Sequence, residues 1–431
     1  MYARISFALT VLRNGLLFIN LWRAIMKRIL VFLSFILVSQ AAFAAHYQVG
    51  VAKTNITPKK HQRAEVCMGG YGAPFEKCGL TDVNDRLSSR TLAISDKDTT
   101  MIITALDAPG ISKAIIEKIK RRAQRRFGLS PDHVFIAATH SHAGPDLQGV
   151  WGGASDEYEN YVVRKVIRSM RRALRNQEPA LIYTSTTVAP VENRRGHAVV
   201  DESVNILDIV SRHDRERIAT LVNMSAHPTI IPAENTAYSA GYIHYLREAV
   251  EDELGGITVF VNGVVGDAQA VTNELRGIDI AQEYGERVGE RIVDAIAHCQ
   301  RVRGDLAIRT TTLTHPVTNP LILGGIQAGL IDLALNENGH VTTTFSYFNF
   351  GHDVQGVTFP GEALSRLAIP IKDSLTGDVN FFFGLTNDTL GYFLPSDEFL
   401  QIEGRTTEES ASLDPFIGDA AKQTLITLIQ Q

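Results

Sequence analysis

The sequence predicts an α/β domain, a mixed β-sheet core flanked by helices. Three observations carry this. Strand-like apolar runs alternate with amphipathic helical stretches along most of the chain. The composition, 45% hydrophobic and 21% charged over 431 residues, suits a globular domain with a sizeable core. No internal repeat, low-complexity tract or long Pro/Gly/Ser-rich linker divides the chain, so residues 45–431 read as one domain.

The N-terminus stands apart from that domain. Lys27-Arg28 precede an apolar run at 29–38, and Ala42-Phe43-Ala44 offers small residues for cleavage. Residues 1–44 therefore read as a secretory signal peptide, with Met26 an alternative start and 1–25 an untranslated upstream stretch. The apolar run is short for a retained membrane anchor. The expected location is the periplasm or the medium. Removing residues 1–44 leaves 37 basic against 47 acidic residues, a net charge of −10. Such a chain is not built for nucleic acid. Export also permits a disulfide. Cys67 and Cys78 flank Met68-Gly69-Gly70-Tyr71-Gly72 and can close that loop, whereas Cys299, ending a helical pattern, stays free and buried.

The elements follow in order. Residues 100–106 read as a strand. Residues 112–127 read as a helix with Ile115, Ile116, Ile119 and Ala123 on one face. A strand at 133–138 precedes a helix at 156–175, whose inward positions are Val162, Val166, Met170 and Ala173. Its basic residues, Arg164, Lys165, Arg168, Arg171, Arg172 and Arg175, read as a solvated face. Strands follow at 181–187, 218–224 and 257–261, with helices at 242–254 and 280–299. Beyond Gly304 the pattern turns strand-rich, at 306–313, 341–347, 354–359 and 381–385, before a last helix at 415–430. The apolar stretch 320–335 reads as a core helix, with the lining of a lipid-sized groove as its alternative.

Chemistry concentrates at strand ends. Thr139-His140-Ser141-His142-Ala143-Gly144-Pro145 follows the strand at 133–138. In an extended backbone residues i and i+2 share a face, so both imidazoles aim into one pocket. A zinc site needs three or four N, O or S ligands converging at about 2.0–2.2 Å. His140 and His142 supply one ligand or two. His227, before Pro228 and after the strand at 218–224, is a third candidate. The remaining histidines, His244 and His352 among them, lack this setting. Gly266-Asp267, in Asn262-Gly263-Val264-Val265-Gly266-Asp267, follows the strand at 257–261, either as a tight turn or as a close approach of backbone to ligand. Arg194, after Asn193, is a surface loop residue or a stabiliser of developing negative charge. Phe359-Pro360-Gly361-Glu362 and Asn387-Asp388-Thr389-Leu390-Gly391-Tyr392 bring further ligand-capable groups to strand ends.

Taken in order, these motifs resemble the catalytic domain of the neutral/alkaline non-lysosomal ceramidase family. The likeness runs from Val49-Gly50-Val51-Ala52-Lys53-Thr54-Asn55-Ile56-Thr57-Pro58 to Pro415-Phe416-Ile417-Gly418. It implies that family's mixed α/β fold and one zinc ion held by His140, His227, Glu362 and Tyr392. It also implies a catalytic set of His142, Arg194 and Asp267. The implied chemistry is hydrolysis of an N-acyl lipid amide by water. His142 shuttles the proton, Arg194 steadies the oxyanion, and Tyr392 ligates zinc or donates to that oxyanion. A transient membrane-surface contact is expected, without nucleic acid or an obligate protein partner. The family's immunoglobulin-like C-terminal module is not expected, since the chain ends just after the catalytic domain. Two positions depart from the pattern. Gly266-Asp267-Ala268-Gln269-Ala270 places Gln269 where the family carries a serine, and Ser239-Ala240-Gly241-Tyr242 lacks an acid found in many relatives. Another amide or ester substrate, or a non-catalytic metal- or lipid-binding relative, are the alternatives these departures leave.

Overall fold

The structure, a computed structural model, describes residues 47–72, 77–400 and 406–431. The signal-peptide segment 1–44, with Met26 and the cleavage position, lies outside the described residues. The main sheet contains β1 (Tyr47–Asn55), β2 (Ser88–Asp96), β3 (Thr99–Leu106), β4 (Val134–Ala138), β5 (Glu178–Val188), β6 (Ser203–Ser211), β7 (Arg217–Met224) and β8 (Ile257–Asn262). Their order is β8-β7-β6-β5-β1-β2-β3-β4, and β9 (Gln300–Arg301) pairs with β5. The middle of the sheet is antiparallel, while β3 with β4 and β7 with β8 are parallel pairs. A second sheet holds β10 (Leu306–Pro316), β11 (His340–Phe350), β12 (Val354–Thr358) and β13 (Val379–Phe383), and it too ends in a parallel pair, β12 with β13.

Parallel neighbours need a crossover, and each of the three pairs has a helix as its crossover. α1 (Lys113–Phe127) joins β3 to β4. After α2 (Asp156–Arg175), α3 (Tyr242–Leu254) joins β7 to β8. After α4 (Ile278–Ile296) and α5 (Pro320–Gln327), α6 (Ser365–Asp373) joins β12 to β13. In α1, the Ser112 side chain accepts from the Ile115 amide at the start, and Gly128, at φ 71°, ends the helix in the left-handed conformation. Ile115, Ile116, Ile119 and Ala123 are the buried stripe the spacing predicts. α2 buries Val162, Val166, Met170 and Ala173 against the same core.

Hydrogen bonds tie the three crossover units together at the carboxyl ends of their strands. The Asn262 side-chain amide donates to Ala138 O at 2.9 Å. The Gly384 amide donates to Asn262 O at 2.9 Å, and the Ala138 amide to Leu385 O at 3.1 Å. Ligand sites in α/β sheets lie beyond the carboxyl ends of parallel strands. Here three such ends from two sheets are brought to one place.

Three main-sheet strands, β1, β2 and β6, are absent from the sequence-based expectations, and one expected helix changes character. β2 and β6 escape hydrophobic periodicity because polar side chains point into the core. Thr91 of β2 is fully buried, its hydroxyl within 2.9 Å of Thr104 and 2.8 Å of Ser169. Such pairing removes the cost of burying hydroxyls. The stretch 320–335 is not a core helix. α5 has no buried residue, Leu321 is 59% and Leu330 66% exposed, and residues 328–335 form neither helix nor strand. Among the described residues no helix is long and apolar enough to cross a membrane.

Candidate metal centre and apolar cavity

Every chemically suggestive residue except Arg194 follows a strand of a parallel pair. His140 and His142 come after β4, His227 after β7, Asp267 after β8, Glu362 after β12, and Tyr392 at the far end of the loop after β13. The expected extended backbone at His140 is not what brings the imidazoles together. β4 stops at Ala138, and His140 has φ 63°, in the left-handed region. A turn rather than the pleat aims the two rings at one point. Gly70 makes room for it: a side chain there would meet the His142 ring at 2.4 Å. The Tyr71 ring meets His142 edge-on, centroids 4.7 Å apart.

The three Nε2 atoms form a triangle. His140 to His227 is 3.1 Å, His227 to His142 is 3.0 Å, and His142 to His140 is 3.4 Å. Tetrahedral ligation at about 2.0–2.1 Å separates nitrogens by about 3.3–3.4 Å, so these rings need little movement to hold one ion. All three are buried. Glu362 Oε2 stands 3.3 Å from His140 Nε2 and has no hydrogen-bond partner although buried. A buried carboxylate oxygen left unpaired is costly unless a cation meets it. The donor set therefore fits a divalent metal.

The other ring nitrogens distinguish the histidines. His140 Nδ1 donates to Pro109 O, and His227 Nδ1 donates to Val265 O at 3.1 Å. That is how ligating imidazoles are oriented, with Nε2 left as a lone pair. His142 Nδ1 has no partner. Burial, reinforced by the His140 ring and Arg194, pushes both His142 and His227 well below the usual imidazole value.

Arg194 and Tyr392 complete the polar wall. Arg194 Nη2 donates to the Tyr392 hydroxyl at 3.1 Å and to Gly266 O at 2.7 Å, and pairs with Glu408 at 2.6 Å. Burial opposes the Arg194 charge, but Tyr392 and Glu408 outweigh it and raise the guanidinium above its ordinary value. Burial, with Glu362 beside it, pushes the Tyr392 phenol well above its ordinary value. Asp267 acts through other residues. One carboxylate oxygen accepts from Asn193 at 2.7 Å, and the other from the Ser365 amide and hydroxyl at 2.8 and 2.6 Å. It ties the Arg194 segment to the segment that follows Glu362. Gly266 allows a close approach, but to the backbone of Ala363 rather than to a ligand.

Four further residues shape the site without belonging to any motif read above. Glu408 is the anionic partner of Arg194. Asp107 and Arg247 form a buried pair, 2.9 and 3.1 Å, just before the Pro109 carbonyl that holds His140. Asp146 accepts from the amides of Gln148, Gly149, Trp151 and Gly153 at 2.6–3.0 Å, shaping the loop that carries Trp151. An acid five residues before an aromatic in a Gly-rich loop is the one signal for it in the sequence. The Cys67–Cys78 disulfide forms, and Gly152 packs against it; Cys299 is free and half-buried.

A cavity of about 280 Å³ opens on this centre. Its walls include His140, His142, Glu362 and Tyr392 at one end, and Val150, Trp151, Ile322, Ile331, Leu333 and Leu413 elsewhere. The 320–335 stretch thus lines a groove. Gln269 belongs to another surface. Its amide donates to Glu192 at 2.8 Å, and the two line a polar cavity of about 360 Å³ with Glu274 and Arg276.

Residues 47–274, more than half of the chain, match the family model described as neutral/alkaline non-lysosomal ceramidase, N-terminal. The fold resembles two solved structures. The neutral ceramidase from Pseudomonas aeruginosa superposes with a TM-score of 0.75 at 17% identity, over 89% of this chain and 74% of that one. A ceramidase complexed with C2 gives 0.75 at 16% identity, over 89% and 75%.

Proposed function

We propose, on the premise that this chain belongs to the neutral/alkaline non-lysosomal ceramidase family, that it is an exported, zinc-dependent amidohydrolase cleaving an N-acyl lipid such as ceramide. The observation that carries the reading is the convergence of His140, His142 and His227 beside the unpaired Glu362 oxygen, at the end of an apolar cavity.

His140, His227, Glu362 and Tyr392 would hold the metal. The Nδ1–carbonyl bonds of His140 and His227 favour this set over one made of three imidazoles. When bound, a zinc ion supplies Lewis acidity that polarises a carbonyl and acidifies water. The chain's own residues do the rest. His142 accepts the proton of the attacking water and returns it to the leaving amine. Arg194, fixed by Tyr392 and Glu408, stabilises charge developing on the carbonyl oxygen. Asp267 keeps the Arg194 and Glu362 segments in register. The apolar wall takes the acyl chain and sheds water from it. Water is the nucleophile, because the carboxamide of Gln269 is not one.

Gln269 favours a second reading, the same chemistry on another amide or ester. Rates on ceramide, short acyl-amides and esters, in wild type and Gln269→Ser, separate the two. Metal analysis with a chelator tests the mechanism itself. An ion-free protein with full activity on any of these substrates would overturn it. Export is supported by the basic-apolar-small pattern at 27–44 and the Cys67–Cys78 disulfide. A mature chain beginning at Ala45 is the expected mass-spectrometric result.

A further inference from the structure

α1 and α2 lie side by side on the sheet, and each turns a stripe of arginines towards the other. Arg122 and Arg126 on α1 face Arg164, Arg168 and Arg171 on α2 across a cleft of about 230 Å³, floored by Ile167. The spacings are i, i+4 on α1 and i, i+4, i+7 on α2, so each set forms one row. Like charges in such rows weaken a helix rather than support it. Among the described residues, none of the five has an acidic side chain within ion-pair distance. Arg121, one position away, shows the ordinary solution: it pairs with Glu117 at 3.0 Å. A second cleft of about 260 Å³ shares Arg164 and Arg168 and adds Lys59, Lys165 and Tyr161. Crowding is real there: Lys165 is lowered from its ordinary value by burial and by Arg168, Lys59 and Arg172. This concentration of positive charge stands on a chain whose net charge is −5. Among the described residues no acidic side chain lines either cleft.

We propose that the paired α1–α2 arginine clefts are a docking surface for the anionic phosphate headgroups of a lipid surface. Guanidinium groups bind phosphate oxygens through a planar fork. A strip over two adjoining clefts fits an array of headgroups better than a single soluble phosphate. Polybasic surfaces gain affinity for anionic bilayers with each added cation, and salt screens the gain. The proposal rests on the lipid-amide reading above only in its choice of a lipid surface as the source of phosphate.

The test is co-sedimentation of the full chain with substrate-free vesicles, of phosphatidylcholine alone or with added phosphatidylglycerol, at low and high salt. Wild type is expected to associate only with the anionic vesicles and to be released by salt. Arg164→Glu/Arg168→Glu and, separately, Arg122→Glu/Arg126→Glu should each weaken association at least about tenfold. Both variants should hydrolyse a detergent-dispersed short-chain amide like wild type, which also shows that they fold; should one pair fail to fold, the other decides. Equal association with neutral vesicles, indifference to both charge reversals, or saturable binding of inorganic pyrophosphate without vesicle association would each overturn the proposal. Since the vesicles carry no substrate, failure to bind leaves the hydrolase reading untouched, and failure to hydrolyse leaves the docking surface untouched.

Discussion

At one end of the 280 Å³ cavity, His140 and Glu362 stand just beyond the carboxyl ends of β4 and β12, and His227, after β7, meets His140 there at 3.1 Å. At the other, Ile322, Ile331 and Leu333 stand on a short exposed helix and an irregular stretch after it. The first end is buried, hydrogen-bonded across two sheets and fixed in register. The second is held by side-chain packing and by the bonds of Asn319 to the Ser412 and Leu413 carbonyls, and its neighbours are partly in solvent. On the proposed reading, chemistry that needs ångström placement is mounted on paired strands, and accommodation of a chain of variable shape is left to loops.

The contrast can be broken most severely at His140. His140→Ala removes a proposed metal ligand and should cut turnover to background, about a thousandfold or more, with bound metal falling in parallel by elemental analysis. Retained activity would show that the triangle is not the reactive centre. Arg247→Met attacks the same end from behind. It leaves the buried Asp107 without its ion-pair partner, at a cost of about 3–5 kcal/mol, read from denaturant midpoints. Because Pro109 O orients His140, metal affinity should fall too; unchanged stability and affinity would sink the positioning role.

The cavity wall contains a titration that sharpens the comparison. Burial raises Asp388 to about 6, against the pull of Lys113. Its folded value exceeds its unfolded one, so the associated stability is fully present below about pH 4. It is lost as pH rises through about 6, by about 3 kcal/mol. Asp388→Asn should flatten that part of the stability–pH profile, and an unaltered slope would rule Asp388 out as its source. Asp107, at the metal end, has the opposite sign. Burial opposes its charge, but Arg247 and Arg90 hold it below the usual carboxylate range, so its contribution is lost as pH falls. The smallest effect is expected at the apolar end. Leu333→Asp should raise KM for a long-chain amide about tenfold while leaving kcat on a short-chain amide nearly unchanged. Equal effects on both substrates would mean that the wall does not hold the acyl chain.

The two ends also differ in how far the sequence disclosed them. α2 and α3 begin and end where periodicity places them, and His140, His142 and His227 are visible as histidines before turn residues. What periodicity does not carry is strand pairing. That β3–β4, β7–β8 and β12–β13 are the parallel pairs, with carboxyl ends meeting at Asn262, Ala138 and Gly384, depends on contacts far apart in the chain. β2 and β6 were hidden by inward polar residues such as Thr91 and Asn205, which are satisfied by partners the local sequence does not name. Residues 320–335 mislead in the other direction, since their apolar character serves a cavity and not a core. Glu408, Asp107, Arg247 and Asp146 act by holding something else, and apart from the Gly-rich loop after Asp146 nothing in their neighbours marks that.

His140 holds one more consequence. A histidine at φ 63° is strained by about 1–2 kcal/mol relative to an ordinary conformation, and glycine there would not be. His140→Gly and His140→Ala both lack the imidazole, so they differ mainly in backbone freedom. The glycine variant should melt higher than the alanine one, and in the absence of metal it should rival the wild-type chain. The position would then be one where selection for turnover has kept the protein short of its own stability optimum, with the ion recovering in the loaded enzyme what the bare fold gives up.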